Sequence, residues 1–202
     1  IASNFRSART LHDYLAQSGI VGIEGIDTRA LTRKLRVDGA MKGVLTTEID
    51  DPAECVRQAA AAPDMTGADL VKVVAPRESS RWSDGIDGRF VSGPAIGNRK
   101  SAIGNPSVVA IDCGMKRNIL RNLVSAGCDV TVVPPTWSAA QVLERKPKGV
   151  FVSNGPGDPA AVHYTIEMLK GLIGKVPIFG ICLGHQLLAL AMGAKTYKLK
   201  FG

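Results

Sequence analysis

The alternation of apolar runs with helical patterns after about residue 107 restricts the fold more than any other feature of this sequence. Four runs lack the polar alternation of half-exposed strands and so predict buried strands: Val108–Ile111, Val130–Val133, Val150–Val152 and Val176–Ile181. Because strands and helices that alternate at this spacing form right-handed βαβ units, the sequence predicts an α/β fold. We expect an open, mostly parallel sheet with helices on both faces.

Helical patterns lie between the predicted strands. The first stops at Gly127, the second starts at Ser138, and the third follows Asp158-Pro159 with one apolar face: Val162, Ile166, Leu169 and Ile173. Ligands of such sheets bind beyond the carboxyl ends of the strands. A functional site is therefore expected in the segments after Ile111, Val152 and Ile181.

The first half of the chain has a different texture. Residues 1–75 predict part of a smaller mixed α/β domain, with a helix capped by Asp27, a strand at Val44 and Leu45, and a helix over Pro52–Ala62. Residues 76–106 are rich in Gly and Pro and show neither helical nor strand periodicity, so they predict a connection. Residues 107–202 then predict an α/β domain.

Composition excludes several classes of protein. Hydrophobic residues make up 45% and charged residues 21%, as in globular proteins, and no apolar stretch approaches the roughly 18 residues that span a membrane. The net charge is +7, but the basic residues are scattered without interleaved aromatic side chains. This pattern favours a solvated basic surface over nucleic-acid binding.

Cysteine and histidine usage argues against metal and disulfide frameworks. The four cysteines have no CxxC spacing and the chain has only three histidines, so we expect no metal site and no disulfides. A reducing, cytoplasmic compartment fits this usage best.

The residues after the last predicted strand predict a reactive cysteine. Gly180-Ile181-Cys182-Leu183-Gly184 joins an apolar strand directly to a helical run, which is the context of a nucleophile elbow. Glycines two residues before and after the nucleophile let the backbone turn tightly. Cys182 would then project from the turn, and the N-terminus of the next helix would favour its thiolate.

Backbone donors for an oxyanion are expected beside this cysteine. The N–H of Leu183 starts the helix, and the Ser153–Pro159 loop after a neighbouring strand contains Gly155 and Gly157, which permit close backbone approach to a ligand. Alone, the loop would more often be a plain turn.

The other cysteines and the histidines carry weaker signals. Cys55, Cys113 and Cys128 lack the setting of an elbow and are interpreted as structural. His185 follows Cys182 too closely to be more than an orienting residue, and neither His163 nor His12 is a convincing general base.

These motifs resemble those of class I glutamine amidotransferases, whose elbow has the form of Gly180–Gln186. Further segments are similar to the small subunit of carbamoyl phosphate synthetase: residues 1–6, 22–33, 116–120 and 153–159. The helix at Asp27-Thr28-Arg29 lies outside the amidotransferase domain and separates this family from the glutaminases of anthranilate, GMP and CTP synthetases.

The resemblance implies hydrolysis of L-glutamine to glutamate, with ammonia passed to a large subunit that uses bicarbonate and ATP with Mg. It implies that Cys182 is the nucleophile that forms a glutamyl thioester. Gly155, Gly157 and Leu183 would line the oxyanion and substrate site, and Gln186 would hold glutamine. No cofactor is implied for this chain, and either arginine or pyrimidine synthesis could use the ammonia.

In the family, a catalytic His-x-Glu pair lies well downstream of the elbow, and this sequence stops at Gly202. The resemblance implies that residues 1–75 are the C-terminal part of the small subunit's N-terminal domain and that residues 107–202 are the N-terminal half of the amidotransferase domain. We therefore expect an interior piece that has the nucleophile without its base and is inactive alone. Two alternatives stay open: a non-catalytic docking or regulatory module with the same fold, and the glutaminase of another synthetase fused to an unrelated N-terminal part.

Overall fold

A computed structural model describes residues 7–86 and 104–200. They form two units: the first extends to Pro63 and takes in residues 198–200, and the second spans Asp64–Tyr197. The predicted division into residues 1–75, 76–106 and 107–202 stays a prediction.

The first unit contains three helices, each begun by a polar cap. They are α1 (Leu11–Gln17), α2 (Thr28–Asp38) and α3 (Pro52–Ala61). Asp27 caps α2 by accepting the Ala30 N–H at 2.9 Å, as its position predicted. Asp51 caps α3, whose first residue is a proline that has no N–H to leave unpaired. None of these three helices contains a buried residue.

The strand predicted at Val44 and Leu45 is wrong. Neither residue belongs to a strand, and both side chains are exposed. A strand needs a neighbouring backbone to pair with its N–H and C=O groups, and all the strands of the described residues belong to one sheet in the second unit.

The second unit is built around a five-stranded sheet in the order β1-β3-β2-β4-β5. Four strands are parallel and follow the predicted apolar runs: β2 (Ser107–Ile111), β3 (Asp129–Val133), β4 (Gly149–Val152) and β5 (Ile178–Gly180). β1 (Ser80–Trp82) pairs with β3 in the antiparallel direction. The predicted open, mostly parallel sheet is confirmed.

Helices cover both faces of the sheet. They are α4 (Val71–Val74), α5 (Arg117–Ser125), α6 (Ala139–Glu144), α7 (His163–Leu172) and α8 (Leu183–Ala191). On one face, Val109 and Ile111 pack in a core that includes residues of α6, α7 and α8. On the other face, Ala110 and Phe151 pack with Leu120 of α5. Successive residues of β2 therefore enter opposite cores, as expected for a buried parallel strand.

The ends of the sheet differ from the sequence-based expectations. β1 lies within the segment predicted as a connection, because a three-residue edge strand is too short to produce a recognisable period. β5 is shorter than the predicted Val176–Ile181 and is not buried: Phe179 is 65% exposed, since β5 pairs only with β4 in the described sheet. Ile173 follows α7 as its C-cap and is also exposed.

Among the described residues, no helix has both the length and the apolar composition needed to cross a bilayer. Residues 87–103 of the predicted connection lie outside the described residues.

Candidate active site

Three neighbouring strands end at the same edge of the sheet. Ile111 at the end of β2 is paired with Val152 of β4, and Val152 is paired with Gly180 of β5. The loops that follow these strands therefore begin side by side, at the position where parallel sheets bind their ligands.

Cys182 lies at the tip of the turn between β5 and α8. Its backbone has φ +53° and ψ −112°, and its side chain is exposed. In the described part of the chain, Lys146 is the only other non-glycine residue with a positive φ. Such a conformation is costly for a residue with a Cβ and persists only where the surrounding structure holds it. The predicted strand–turn–helix elbow is therefore present in the structure.

Two glycines make this turn possible. A Cβ on Gly180 would lie 2.5 Å from the backbone of Gly184, and a Cβ on Gly184 would lie 2.2 Å from the carbonyl oxygen of Val152. The Gly184 N–H donates to the carbonyl oxygen of Ser153 at 3.0 Å, and the Ile181 N–H donates to that of Val152 at 3.1 Å. The elbow is thus pressed directly onto the end of β4.

Side-chain hydrogen bonds tie the loop after β4 to the loop after β2. The Ser153 hydroxyl is buried, accepts the Cys113 N–H at 2.8 Å and donates to the Asn154 carbonyl at 2.7 Å. The Asn154 amide accepts the Lys116 N–H at 3.2 Å and donates to the Gly114 carbonyl at 3.0 Å. No individual role was predicted for Ser153 or Asn154 from the sequence. Their position directly after an apolar strand was nevertheless a signal that these polar side chains have a function.

Gly155 lies against the start of α8. A Cβ at this position would lie 2.3 Å from the Cys113 carbonyl oxygen and 2.6 Å from Cδ2 of Leu183. Leu183 is buried and is the first residue of α8, so its N–H has no acceptor within the helix. The structure therefore brings Gly155 and Leu183 together beside Cys182.

The other two predicted substrate-binding residues have different surroundings. Gly157 has φ +91°, and a Cβ there would lie 2.6 Å from the Ala68 carbonyl oxygen, so its small size serves packing against residues 68–70. Gln186 is exposed on α8, and its backbone N–H donates to the Cys182 carbonyl at 3.1 Å. The roles predicted for Gly157 and Gln186 in substrate binding stay predictions.

The remaining cysteines and histidines do not form a second reactive centre in the described residues. All four cysteines are free, and within residues 7–86 and 104–200 no group of three or more potential ligands is placed to hold a metal. Burial, followed by the nearby Asp112 carboxylate, raises the pKa of Cys113 to about 12. His185 is exposed on α8, next to the elbow, and His163 begins α7.

Comparison with known proteins finds a matching family for each of two stretches of the chain. Residues 109–202 match the family Glutamine amidotransferase class-I, and residues 1–45 match the family Carbamoyl-phosphate synthase small chain, CPSase domain. A carbamoyl phosphate synthase small chain from Syntrophotalea carbinolica is 53% identical over 202 residues, which is 99% of this chain and 52% of that relative. The chain belongs to the carbamoyl phosphate synthase small chain family.

Other relatives agree with this assignment. The small chain from Synechocystis is 51% identical over 99% of this chain and 52% of its own length. The chloroplastic small chain from Arabidopsis thaliana is 46% identical over 99% of this chain and 46% of its own length. The chain therefore spans about half the length of the curated relatives it matches. Since single relatives match both halves, an unrelated N-terminal fusion is not needed to explain the sequence.

The packing of the elbow predicts that Gly184→Ala destabilises the protein. In most helices alanine is more stabilising than glycine. Here, however, the Cβ of alanine would overlap the carbonyl oxygen of Val152. We expect the free energy of unfolding to fall by about 1–3 kcal/mol in urea denaturation. Gly43→Ala is the control because a Cβ there meets nothing within 4 Å. If Gly184→Ala were as stable as the unchanged protein, the elbow would have space for a Cβ at residue 184, which would contradict the described packing.

The two cysteines near the site are expected to differ in reactivity. Iodoacetamide at about pH 8 should label exposed Cys182 well before Cys113, which is buried and keeps its proton because its pKa is raised. Peptide mass spectrometry of samples taken over time measures both rates, and labelling in urea serves as the control in which the difference disappears. Faster labelling of Cys113 in the folded protein would contradict the described geometry.

Proposed function

We propose that this chain carries the glutaminase centre of a glutamine-dependent carbamoyl phosphate synthase. Its reaction is the hydrolysis of L-glutamine to glutamate and ammonia. The observation that carries the proposal is the position of Cys182, held at a strained elbow beside Gly155 and Leu183, in a chain of this family. An exposed cysteine in a costly backbone conformation contributes little to packing, and such strained residues are concentrated at functional sites, which supports a nucleophilic role for Cys182.

The proposed reaction has two halves. The Cys182 thiol gives up its proton and its sulfur attacks the side-chain amide carbon of glutamine, which becomes tetrahedral while the carbonyl oxygen becomes an oxyanion. When this intermediate collapses, the carbon–nitrogen bond breaks, the nitrogen takes up the proton that the thiol released, and ammonia departs from the glutamyl thioester. Water then attacks the thioester, releases glutamate and restores the thiol. Splitting the hydrolysis into two steps lowers the barrier of each.

Backbone groups beside Cys182 would stabilise the oxyanion. The Leu183 N–H directly follows Cys182 and has no helical partner, and Gly155 packs against the Leu183 side chain, which supports a role for these two residues as the donors. One such donor contributes about 3 kcal/mol of transition-state stabilisation in other enzymes. Gln186 and Gly157 complete the proposed substrate site, with Gln186 orienting glutamine.

The ammonia is proposed to pass to a large subunit that carries out the ATP-dependent steps with Mg and bicarbonate, so this chain would need no cofactor of its own. The names of the relatives support this, because each is a small chain of the synthase. The four free cysteines support a reducing compartment, and we propose the cytoplasm, although the plant relatives are named chloroplastic.

Substitution of the nucleophile tests the proposal. Expressed from the complete reading frame, Cys182→Ser should lose glutamine hydrolysis almost entirely, because a serine hydroxyl is a far weaker nucleophile at neutral pH. Cys55→Ser is the matched control, since Cys55 lies in α3 of the first unit. Glutamate release measures both variants.

The alternative is a non-catalytic docking module with the same fold. Full glutamine hydrolysis by Cys182→Ser would contradict the thioester mechanism. An unchanged protein that binds the large subunit but never hydrolyses glutamine would favour the docking module.

A further inference from the structure

Residues 67–70 run along the loop that carries the proposed oxyanion site. The Gly67 N–H donates to Oδ2 of Asp158 at 2.8 Å, and the Asp158 N–H donates to the Ala68 carbonyl at 3.0 Å. The other carboxylate oxygen of Asp158 accepts the Ala160 N–H at 2.9 Å and caps the 3₁₀ turn Pro159–Ala161. One side chain therefore joins two segments that are far apart in the sequence.

Close packing accompanies these hydrogen bonds. The Ala68 carbonyl oxygen lies 2.6 Å from where a Cβ of Gly157 would be, and a methyl group of Val74 lies 2.9 Å from where a Cβ of Gly114 would be. Val71 is fully buried in the same apolar core as Leu183. The segment 67–74 thus packs against the Gly155–Asp158 loop and, through Val74, against Gly114 of the loop after β2.

A second anchor holds the segment independently of Asp158. The Tyr164 hydroxyl on α7 donates to Oδ1 of Asp69 at 3.2 Å. Lys72 forms an ion pair with Oδ2 of Asp69 at 3.1 Å, and its ammonium lies 5.2 Å from the centre of the Tyr164 ring. Burial and the Asp69 carboxylate raise the pKa of Tyr164, so the hydroxyl keeps its proton and remains a donor. The segment is therefore a fixed support for the loop.

We propose that Asp158 is a positioning residue for the glutaminase reaction, holding the Gly155–Gly157 backbone in place for the oxyanion by tying it to Gly67 and Ala68. The proposal rests on the proposed function. A glycine-rich loop has many accessible backbone conformations, and an oxyanion donor is effective only when it is already in place as charge develops. Both carboxylate oxygens of Asp158 already accept backbone N–H groups, so Asp158 would act through the loop.

The first unit supplies a matched control for this residue. Asp51 also precedes a proline and accepts the N–H of the second residue after it, from Ala53 at 2.9 Å. Asp51 and Asp158 therefore make the same local cap, but Asp158 alone adds the bond to Gly67. Asparagine is also a good capping residue with one acceptor oxygen, so Asp→Asn can keep the cap at both positions. It removes the acceptor for Gly67 at residue 158 and only an exposed ion pair with Arg57 at residue 51.

The experiment compares Asp158→Asn, Asp51→Asn and Cys182→Ser in the protein expressed from the complete reading frame. For Asp158→Asn we expect kcat for glutamine hydrolysis to fall about 10–100-fold with KM changed less than about twofold, because the lost interaction acts in the transition state. Iodoacetamide labelling of Cys182 should be as fast as in the unchanged protein. Asp51→Asn should keep its kcat.

Each other outcome overturns one specific claim. If Asp158→Asn and Asp51→Asn have the same kcat, or if activity per folded molecule is unchanged and only the unfolding midpoint falls, Asp158 is structural. If Asp158→Asn does not fold, Asp158→Ser takes its place, because serine keeps the cap but is too short to reach Gly67. Full activity of Cys182→Ser would instead refute the proposed function, so the two failures are distinguishable.

Discussion

The close approach between the elbow and the end of β4 is the constraint on which the site depends. Gly184 can lie against the Val152 carbonyl only because it has no side chain, and this contact directs the N-terminus of α8 to the edge of the sheet. Cys182 then takes a positive φ that its own side chain disfavours. Folding of the parallel sheet supplies the stability that holds Cys182 in this strained conformation. The geometry of the proposed nucleophile therefore depends on the folded sheet.

Much of this arrangement could be predicted from the sequence because it depends on local patterns. Uninterrupted apolar runs locate β2, β3 and β4, since strands buried on both faces have no polar alternation. The glycines around Cys182 indicate the elbow, because only a residue without a Cβ fits at those positions. Both signals are confined to a few neighbouring residues, and the structure confirms them.

Features that depend on distant partners could not be predicted in this way. Phe179 belongs to an apolar run, but its exposure follows from the place of β5 at one edge of the described sheet. β1 is too short to show the two-residue period of a strand. It lies within the predicted connection and pairs with β3, about 50 residues further along the chain. The bond between Gly67 and Asp158 joins residues 91 positions apart, and nothing in either local sequence identifies the other.

The central claim is that Cys182 forms a covalent bond with the glutamyl group of the substrate. The most direct measurement is acid quenching of the protein, expressed from the complete reading frame, during turnover of glutamine labelled in its carbon chain. Peptide mapping then locates the label. The account predicts a labelled glutamyl thioester on the peptide that contains Cys182. Turnover without label on any peptide, or label on a peptide without Cys182, would contradict it.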